Sequence, residues 1–319
     1  MKRFKGKTVL ITGAAGFLGR HLTKKFKDLG AHVWAIDNYI TGAEDFDDVT
    51  MADVTNRLTC DDPLHYILHA AGIASPVFYS KYPLETIDVA VKGTRNMLAL
   101  ACAHPELEGF LYFSSSEIYG DPNVVPTPET YKGNVSCTGP RACYDESKRL
   151  GETLCSVYYK QYGVPVRTVR PFNIFGPGMS HDDRRVVPMF TYEAMHDRLL
   201  PLFRDGMQTR TFCYIADAIM GFLRVVLDGT PGEAYNIGNP NPEISMKELA
   251  LMFHDFFPDL DPIYELKPYP GEYPADEPLR RCPDIAKAVA HVNYSPRWSL
   301  GRGLLEFVEW AQEQPSYRA

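Results

Sequence analysis

Apolar and polar positions in the first half of the chain switch repeatedly between a short-run pattern and a helical one. Thr8-Val-Leu-Ile-Thr12 is a β-branched apolar run too brief for a helix, which predicts a buried strand. Gly13-Ala-Ala-Gly16-Phe17-Leu18-Gly19 follows at once. Leu18, Leu22, Phe26 and Leu29 then recur at helical spacing as far as Gly30, a natural helix stop. A second apolar run, Val33–Ile36, ends at Asp37. Further strands are predicted over Tyr66–Ala70, Phe110–Ser115 and Val166–Arg170, and helices over Pro83–Ala103 and Tyr144–Tyr162. This alternation predicts an α/β fold, a doubly wound parallel sheet with helices on both faces and ligands at the carboxyl ends of its strands.

Strand, glycine turn, helix, strand and acid stand in the order of a Rossmann dinucleotide site. The glycines permit a tight turn and close backbone approach, and the helix N-terminus faces a pyrophosphate. Asp37, 18 residues after Gly19, can accept hydrogen bonds from the adenosine ribose and would repel a 2′-phosphate, so NAD is expected over NADP. Candidate cofactor contacts are Gly13, Gly16, Phe17, Leu18, Gly19, Asp37, Asn38, Asp53, Val54 and Ala70. Past Phe172 the alternation weakens and proline, glycine and aromatic residues rise. Residues 1–172, with returning segments at about 210–238, are expected to form the NAD-binding domain. Residues 173–209 and 239–319 are expected to form a smaller, discontinuous substrate domain. Tyr235–Gly238 reads as a strand rejoining the sheet.

Composition narrows the class. With 319 residues, 45% of them hydrophobic, the chain can bury one large core or two unequal ones. A net charge of −7 with scattered basic residues argues against a nucleic-acid binder. The apolar run after the basic cluster of Lys2, Arg3, Lys5 and Lys7 is too short for a signal segment or membrane span, and a cytoplasmic protein is expected. Seven cysteines without a C-x-x-C pair read as reduced, mostly buried thiols, with no metal site and no disulfide framework.

Tyr144-Asp-Glu-Ser-Lys148 places a phenol and an ammonium on one helical face, one turn apart. A tyrosine with its ordinary pKa of about 10 is a poor base near neutrality. A fixed lysine charge, helped by a bound cationic nicotinamide, would stabilise the phenolate. By this reading Tyr144 and Lys148 also touch the cofactor.

Joined by the serine run, these segments resemble the extended short-chain dehydrogenase/reductase (NAD-dependent epimerase/dehydratase) family. The resemblance rests on T-G-A-A-G-F-L-G at 12–19, the acid at 37, S-S-S-E-I-Y-G at 114–120, Y-D-E-S-K at 144–148 and R-P-F-N-I-F-G-P at 170–177. Within it the chain is most similar to the UDP-glucuronate decarboxylases, through Gly139-Pro-Arg-Ala-Cys-Tyr-Asp-Glu-Ser-Lys-Arg149, Arg185-Val-Val187, Gln208-Thr-Arg210 and Asp276–Asp284. It departs from their pattern at Ala90, where relatives usually carry Asn, at Ser115, where they tend to have Thr, and at Ser147, where Gly is usual. The segment Thr41–Asp48 is also short and acidic. The resemblance implies NAD, a UDP-glucuronate substrate and a homodimer paired through the helices at 83–103 and 144–162. It implies decarboxylation to UDP-xylose through a 4-keto sugar, with 4-epimerisation, or release of the 4-keto pentose, as the alternatives. A non-catalytic NAD sensor is disfavoured by retention of the whole proton-transfer set.

On this reading Tyr144 accepts the proton of a sugar hydroxyl, Lys148 holds the nicotinamide ribose, and Ser115 shares the bond to the reacting oxygen. Strand alternation lets only one or two of Ser114, Ser115 and Ser116 face the substrate. Glu117 could deliver or relay a proton after carbon dioxide leaves, and Arg210 could pair with a carboxylate or phosphate. Ser116, Asn173, Arg185, Phe203, Gln208, Arg210 and Arg281 are the candidate substrate contacts. The residues alone leave open that Glu117 caps a surface turn, that Arg210 forms a structural ion pair and that Phe203 is a core aromatic.

Overall fold

A computed structural model of the chain describes residues 2–42, 48–268 and 278–319. Most of the acidic segment after Asp37 (43–47), and Asp276 and Glu277 in the segment at 276–284, lie outside the described residues.

The chain builds strands β1 (Thr8–Thr12), β2 (His32–Asp37), β3 (Thr50–Met51), β4 (Tyr66–His69), β5 (Gly109–Phe113) and β6 (Val166–Pro171). Shorter strands follow: β7 (Ile174–Phe175), β8 (Leu200–Phe203), β9 (Thr209–Arg210) and β10 (Cys213–Tyr214). Next come β11 (Ala234–Ile237), β12 (Ile244–Ser245), β13 (Tyr264–Lys267) and β14 (Arg280–Arg281). Seven of them form one sheet in the order β11-β6-β5-β4-β1-β2-β3, and every pairing in it is parallel. Strand order reverses between β1 and β4, which opens the ligand crevice at their carboxyl ends. The predicted strand at Tyr235 is β11, which pairs with β6.

The central strands are buried throughout because helices cover both faces. Alternate residues divide between two cores. Leu10, Ile67, Phe110 and Tyr112 pack with Met97, Leu98 and Leu100 on one face. Val9, Ile11, Leu68, Leu111 and Phe113 pack with Leu22, Phe26 and Phe222 on the other. The second core continues without a break into the C-terminal part through Leu249, Phe253, Leu304 and Phe307.

The helix predicted over Pro83–Ala103 is interrupted. Pro83–Asp88 and Thr94–Cys102 are α-helical, and Val89–Gly93 between them is a π-turn. A Cβ on Gly93 would stand 2.7 Å from Val54, so the extra residue of the turn seats backbone against the strand ends at the cofactor side. Ala90 is buried in that turn. The helix bearing Tyr144 and Lys148 runs from Ala142 to Tyr162 and stops at Gly163, in the left-handed conformation.

Beyond Phe172 the small strands assemble as β10–β7, β12–β9–β14 and β13–β8. Parallel pairing of β14 with β9 sets Arg281 opposite Arg210. All seven cysteines are free thiols, but only Cys155, Cys213 and Cys282 are buried, and Cys102 and Cys137 are exposed. Among the described residues no helix is long and apolar enough to cross a membrane, and no cluster of metal-ligating side chains occurs.

Candidate active site

The glycine loop fits a dinucleotide phosphate. Gly13 has φ +70° and a Cβ there would meet the backbone of Ala71 at 2.8 Å. A Cβ on Gly19 would lie 2.0 Å from the Gly13 carbonyl oxygen. The helix Phe17–Asp28 starts at Gly16 without a side-chain cap, so its first N–H groups are left for an anion. Asp37 orders this loop: its Oδ2 accepts from the Ala15 N–H at 2.9 Å and its Oδ1 from the Tyr39 N–H at 2.8 Å.

Asn38 donates to Asp53 at 3.2 Å, and Asp53 accepts from both the N–H and the hydroxyl of Thr55 at 2.8 Å. Burial raises the Asp53 carboxyl, but these hydrogen bonds outweigh it and leave the group below its ordinary range. Val54 turns its side chain into the core, and its carbonyl accepts from Asn96 at 2.9 Å. Only its backbone can face a cofactor. Asn96 is a residue that nothing in the local pattern marked. Phe17, Leu18 and Ala70 line a cavity at the carboxyl ends of the strands.

Also lining that cavity are Ser114, Ser115, Ser116, Glu117, Tyr144, Lys148, Asn173, Arg185, Phe203, Gln208, Arg210 and Arg281. All three serines line it because β5 ends at Phe113 and Ser116 begins a 3-10 turn, so strand alternation no longer applies. Ser115 caps that turn, accepting from the Glu117 N–H at 3.2 Å, and its hydroxyl hydrogen-bonds the Tyr144 phenol.

Tyr144 is 5% exposed and stacks on Tyr79, ring centres 5.3 Å apart. Burial pushes its phenol up to about 12, against the opposing hydrogen bond from Ser115. Lys148 makes no hydrogen bond to the phenol. Its Nζ donates to the Phe113 carbonyl at 2.8 Å and stands 5.9 Å from the Tyr144 ring centre. A Cβ on Gly72 would come within 3.1 Å of that Nζ, so the missing side chain keeps the space over the ammonium open. Burial thus favours the protonated phenol near neutrality, and a positive charge placed beside it would lower its pKa. His69 hydrogen-bonds Thr12 at 2.8 Å and Thr94 at 3.1 Å, and burial, with the Lys148 charge, holds it down to about 3. It is a neutral brace under the site.

Burial lowers Lys148 to about 8. Between pH 8 and 10.5 the unfolded chain keeps this proton while the native state gives it up, so stability rises with pH across that window. Below it the native state bears a full desolvation cost on the order of a few kcal/mol. Lys148→Met should therefore be inactive yet no less stable than the wild type at pH 7, with the stability difference shrinking as pH rises toward 10.5. Thermal melts across that range check it, and a variant clearly less stable at pH 7 would refute it.

Glu117 is no surface cap. Its carboxylate lies between two guanidiniums, paired with Arg141 on one side and with Arg281 at 2.8 Å on the other. Burial would raise its pKa, but Arg141, Arg281 and Arg210 together hold it below the ordinary carboxylate range. This changes the expected role: Glu117 is present as a carboxylate, not as a protonated acid. Arg210 stands behind the pair and donates to the carbonyls of Thr209 at 2.8 Å, Pro278 at 2.6 Å and Leu279 at 3.3 Å. It thereby clamps the strand that carries Arg281. Arg141 was missed as a site residue. The G-P-R-A-C phrase showed its identity, but no spacing rule places it against a carboxylate 24 residues earlier.

Asn173 has φ +41° and donates to the Thr211 carbonyl at 2.8 Å. Arg185 pairs with Asp183. Gln208 donates to the Phe203 carbonyl at 3.5 Å, and its buried Oε1 has no hydrogen-bond partner. A second cavity, lined by Lys81, His181, Arg184, Tyr192 and Lys267, shares Pro76, Arg184, Met189, Pro201 and Phe203 with the first.

Residues 9–238 match the model of the NAD dependent epimerase/dehydratase family. UDP-glucuronic acid decarboxylase 5 of Arabidopsis thaliana is 40% identical over 307 residues, covering 93% of this chain and 86% of that protein. The epimerase Mth375 of Methanothermobacter thermautotrophicus superposes with a TM-score of 0.86 at 27% identity, covering 98% of this chain and 94% of that one. A UDP-glucuronic acid 4-epimerase of Bacillus cereus, solved with UDP-4-deoxy-4-fluoro-glucuronic acid and NAD, superposes with a TM-score of 0.82 at 26% identity, covering 95% and 98%.

Proposed function

The chain belongs to the NAD-dependent epimerase/dehydratase family, and on that premise we propose that it decarboxylates UDP-glucuronate to UDP-xylose. The observation that carries this reading is the Arg141–Glu117–Arg281 cluster one turn from Ser115 and facing the same cavity as Tyr144. A simple 4-epimerase needs no such cluster beside its tyrosine. NAD, which the glycine loop, Asp37 and Lys148 would hold, would supply a reversible acceptor for the hydride of the sugar C4–H bond.

The residues then have the following parts. Tyr144, as phenolate, takes the proton of the 4-hydroxyl while Ser115 holds the same oxygen. Lys148 anchors the nicotinamide ribose and keeps positive charge near the phenolate. The resulting ketone is β to the 6-carboxylate, so carbon dioxide departs with its electrons left on C5–C4, and C5 must receive one proton. Arg281, already held against Glu117, is better placed than Arg210 to draw the uronate carboxylate in. Glu117, ionised, serves as a relay that passes a proton on, not as its source. Asn173, Arg185, Phe203, Gln208 and Ser116 are assigned to the nucleotide and sugar. Residues 1–172, with the returning part to 238, are assigned to NAD, and 173–209 with 239–319 to the substrate.

Incubation with UDP-glucuronate, NMR of the product and measurement of released carbon dioxide test the proposal. A five-carbon sugar with one carbon dioxide is expected, and a six-carbon uronate product would overturn it.

Asp37 sets the cofactor choice. NAD is expected to bind at least tenfold tighter than NADP, since a 2′-phosphate beside a carboxylate costs more than about 1.4 kcal/mol. Calorimetry with both dinucleotides decides, and equal affinities would remove Asp37 from that role.

A homodimer is part of the same proposal, with a changed rationale. Met97, Leu98 and Leu100 are consumed by the protein's own core, and Val89 and Leu154 are partly buried there. The exposed apolar residues of these two helices are Leu84, Ile87, Leu150, Val157, Tyr159 and Tyr162. Light scattering at micromolar concentration should give twice the chain mass of 36.0 kDa, and Leu84→Glu together with Leu150→Glu should shift it toward the monomer.

A further inference from the structure

We propose that Tyr317 is a positioning residue for the nucleotide-sugar site, acting through the segment 176–185 that carries Arg184 and Arg185 into the cavity wall. The inference rests on the reading of that cavity as the substrate site.

The segment has little regular structure of its own. It opens with Gly176 at φ +154° and Gly178 at φ +94°, contains the single 3-10 turn His181–Asp183, and leaves it with Arg184 at φ +53°. A chain of this kind takes its shape from outside contacts. Three widely separated parts of the protein supply them. His21, on the helix whose N-terminus meets the cofactor phosphates, donates its Nε2 proton to the Pro177 carbonyl at 2.7 Å. The Ser75 hydroxyl donates to the Asp183 carbonyl at 3.1 Å. The Tyr317 hydroxyl donates to the Met179 carbonyl at 2.9 Å, across 138 residues of sequence.

Tyr317 is fully buried and holds the segment twice. Besides the hydroxyl, its ring meets His181 edge-on with centres 5.4 Å apart, and it is seated by Phe307 at 6.1 Å and Trp310 at 5.7 Å. His181 in turn stacks flat on Tyr192, centres 4.2 Å apart. The helix Pro315–Arg318 thus fixes one end of the segment, and Ser75 fixes the other two residues before Arg185. Arg185 is paired with Asp183, and the phenols of Tyr144 and Tyr317 both lie close enough to bear on its charge. Met179, Arg184 and Arg185 all line the cavity that holds Tyr144, and His181 and Arg184 line the second. Arg184 borders both cavities, so the placement of the segment sets where its guanidiniums meet the substrate. The catalytic pair Tyr144 and Lys148 is on a different element and needs none of these contacts.

Tyr317→Phe keeps the ring and removes one buried hydrogen bond. Amide hydrogen exchange of the holoenzyme should speed up in 179–185 and stay unchanged in the sheet. KM for UDP-glucuronate should rise about three- to tenfold, the size of one hydrogen bond, with kcat within twofold and bound NAD unchanged. Combined with Arg185→Gln, the KM effect should be less than multiplicative, since both changes act on one contact. Tyr317→Leu, which also removes the ring contacts, should exceed the Phe variant in both readouts. Unaltered exchange at 179–185 in Tyr317→Phe would overturn the proposal, as would a general loss of protection and of NAD, which marks a merely structural residue. If the wild type fails to turn over UDP-glucuronate, the functional reading falls, and the exchange measurement still decides whether Tyr317 holds the wall.

Discussion

Tyr144→Phe should lower turnover by roughly 10²–10⁴-fold, the usual worth of one general base, while the protein still purifies with its cofactor. The variant removes only the hydroxyl. The ring keeps its stacking on Tyr79 at 5.3 Å, and the same helix keeps Lys148 on the Phe113 carbonyl, so neither fold nor cofactor pocket loses a support. The site makes the loss severe because, among the described residues, neither neighbouring titratable group can stand in as the base. His69 is held neutral beneath the strand ends, and Lys148 is engaged by a carbonyl. Initial-rate assays with UDP-glucuronate, together with the content of bound dinucleotide, check this. Wild-type turnover in the variant would take Tyr144 out of the mechanism.

Glu117→Gln should cost about 30-fold or more in product formation, and its signature should be kinetic order, not rate alone. The substitution is isosteric, but it leaves the Arg141, Arg281 and Arg210 charges gathered without their counter-ion. Removing one member of a buried ion cluster destabilises by roughly 3–5 kcal/mol, so the melting temperature should drop as well. Oxidation at Tyr144 remains possible, whereas delivery of the proton to C5 after carbon dioxide leaves is impaired. Reduced nicotinamide absorbance should therefore build up transiently in stopped-flow traces, ahead of product. Near-normal turnover with no such transient is what an epimerase would give, and it would sink the role assigned to Glu117. Glu117→Asp keeps the charge and should recover part of the stability, which separates the loss of the ion cluster from the loss of the proton path.

Much of this site was legible because its parts are local. The dinucleotide loop is one strand, one turn and one helix in continuous sequence, and the steric need for glycine at Gly19 follows from backbone crowding within a few residues, whereas at Gly13 it comes from the distant backbone of Ala71. Tyr144 and Lys148 share a face because helical geometry puts i and i+4 together whatever surrounds them. The parallel sheet followed from periods of two and of 3.6 that any strand and helix must obey. The interruption at Val89–Gly93 was not legible, since a π-turn answers to Gly93 packing on Val54 and not to its own sequence.

Other features depended on which distant segments meet. Glu117 as a residue type allows an acid, a relay or a surface cap. Two guanidiniums, one from Arg141 and one 164 positions away in Arg281, decided in favour of an ion-paired carboxylate. The same assembly turned Arg210 toward main-chain carbonyls and brought Arg281 forward, because β14 pairs with β9. It also spent Met97, Leu98 and Leu100 inside the core, leaving Leu84 and Leu150 outside. The sequence by itself determined the fold class, the cofactor loop and the tyrosine–lysine pair, since these rest on short-range backbone geometry. Only the tertiary structure decided the protonation of Glu117, the two arginines that face it and the hold of Tyr317 on the cavity wall, since burial and charge partnership exist only once remote segments have closed on one another.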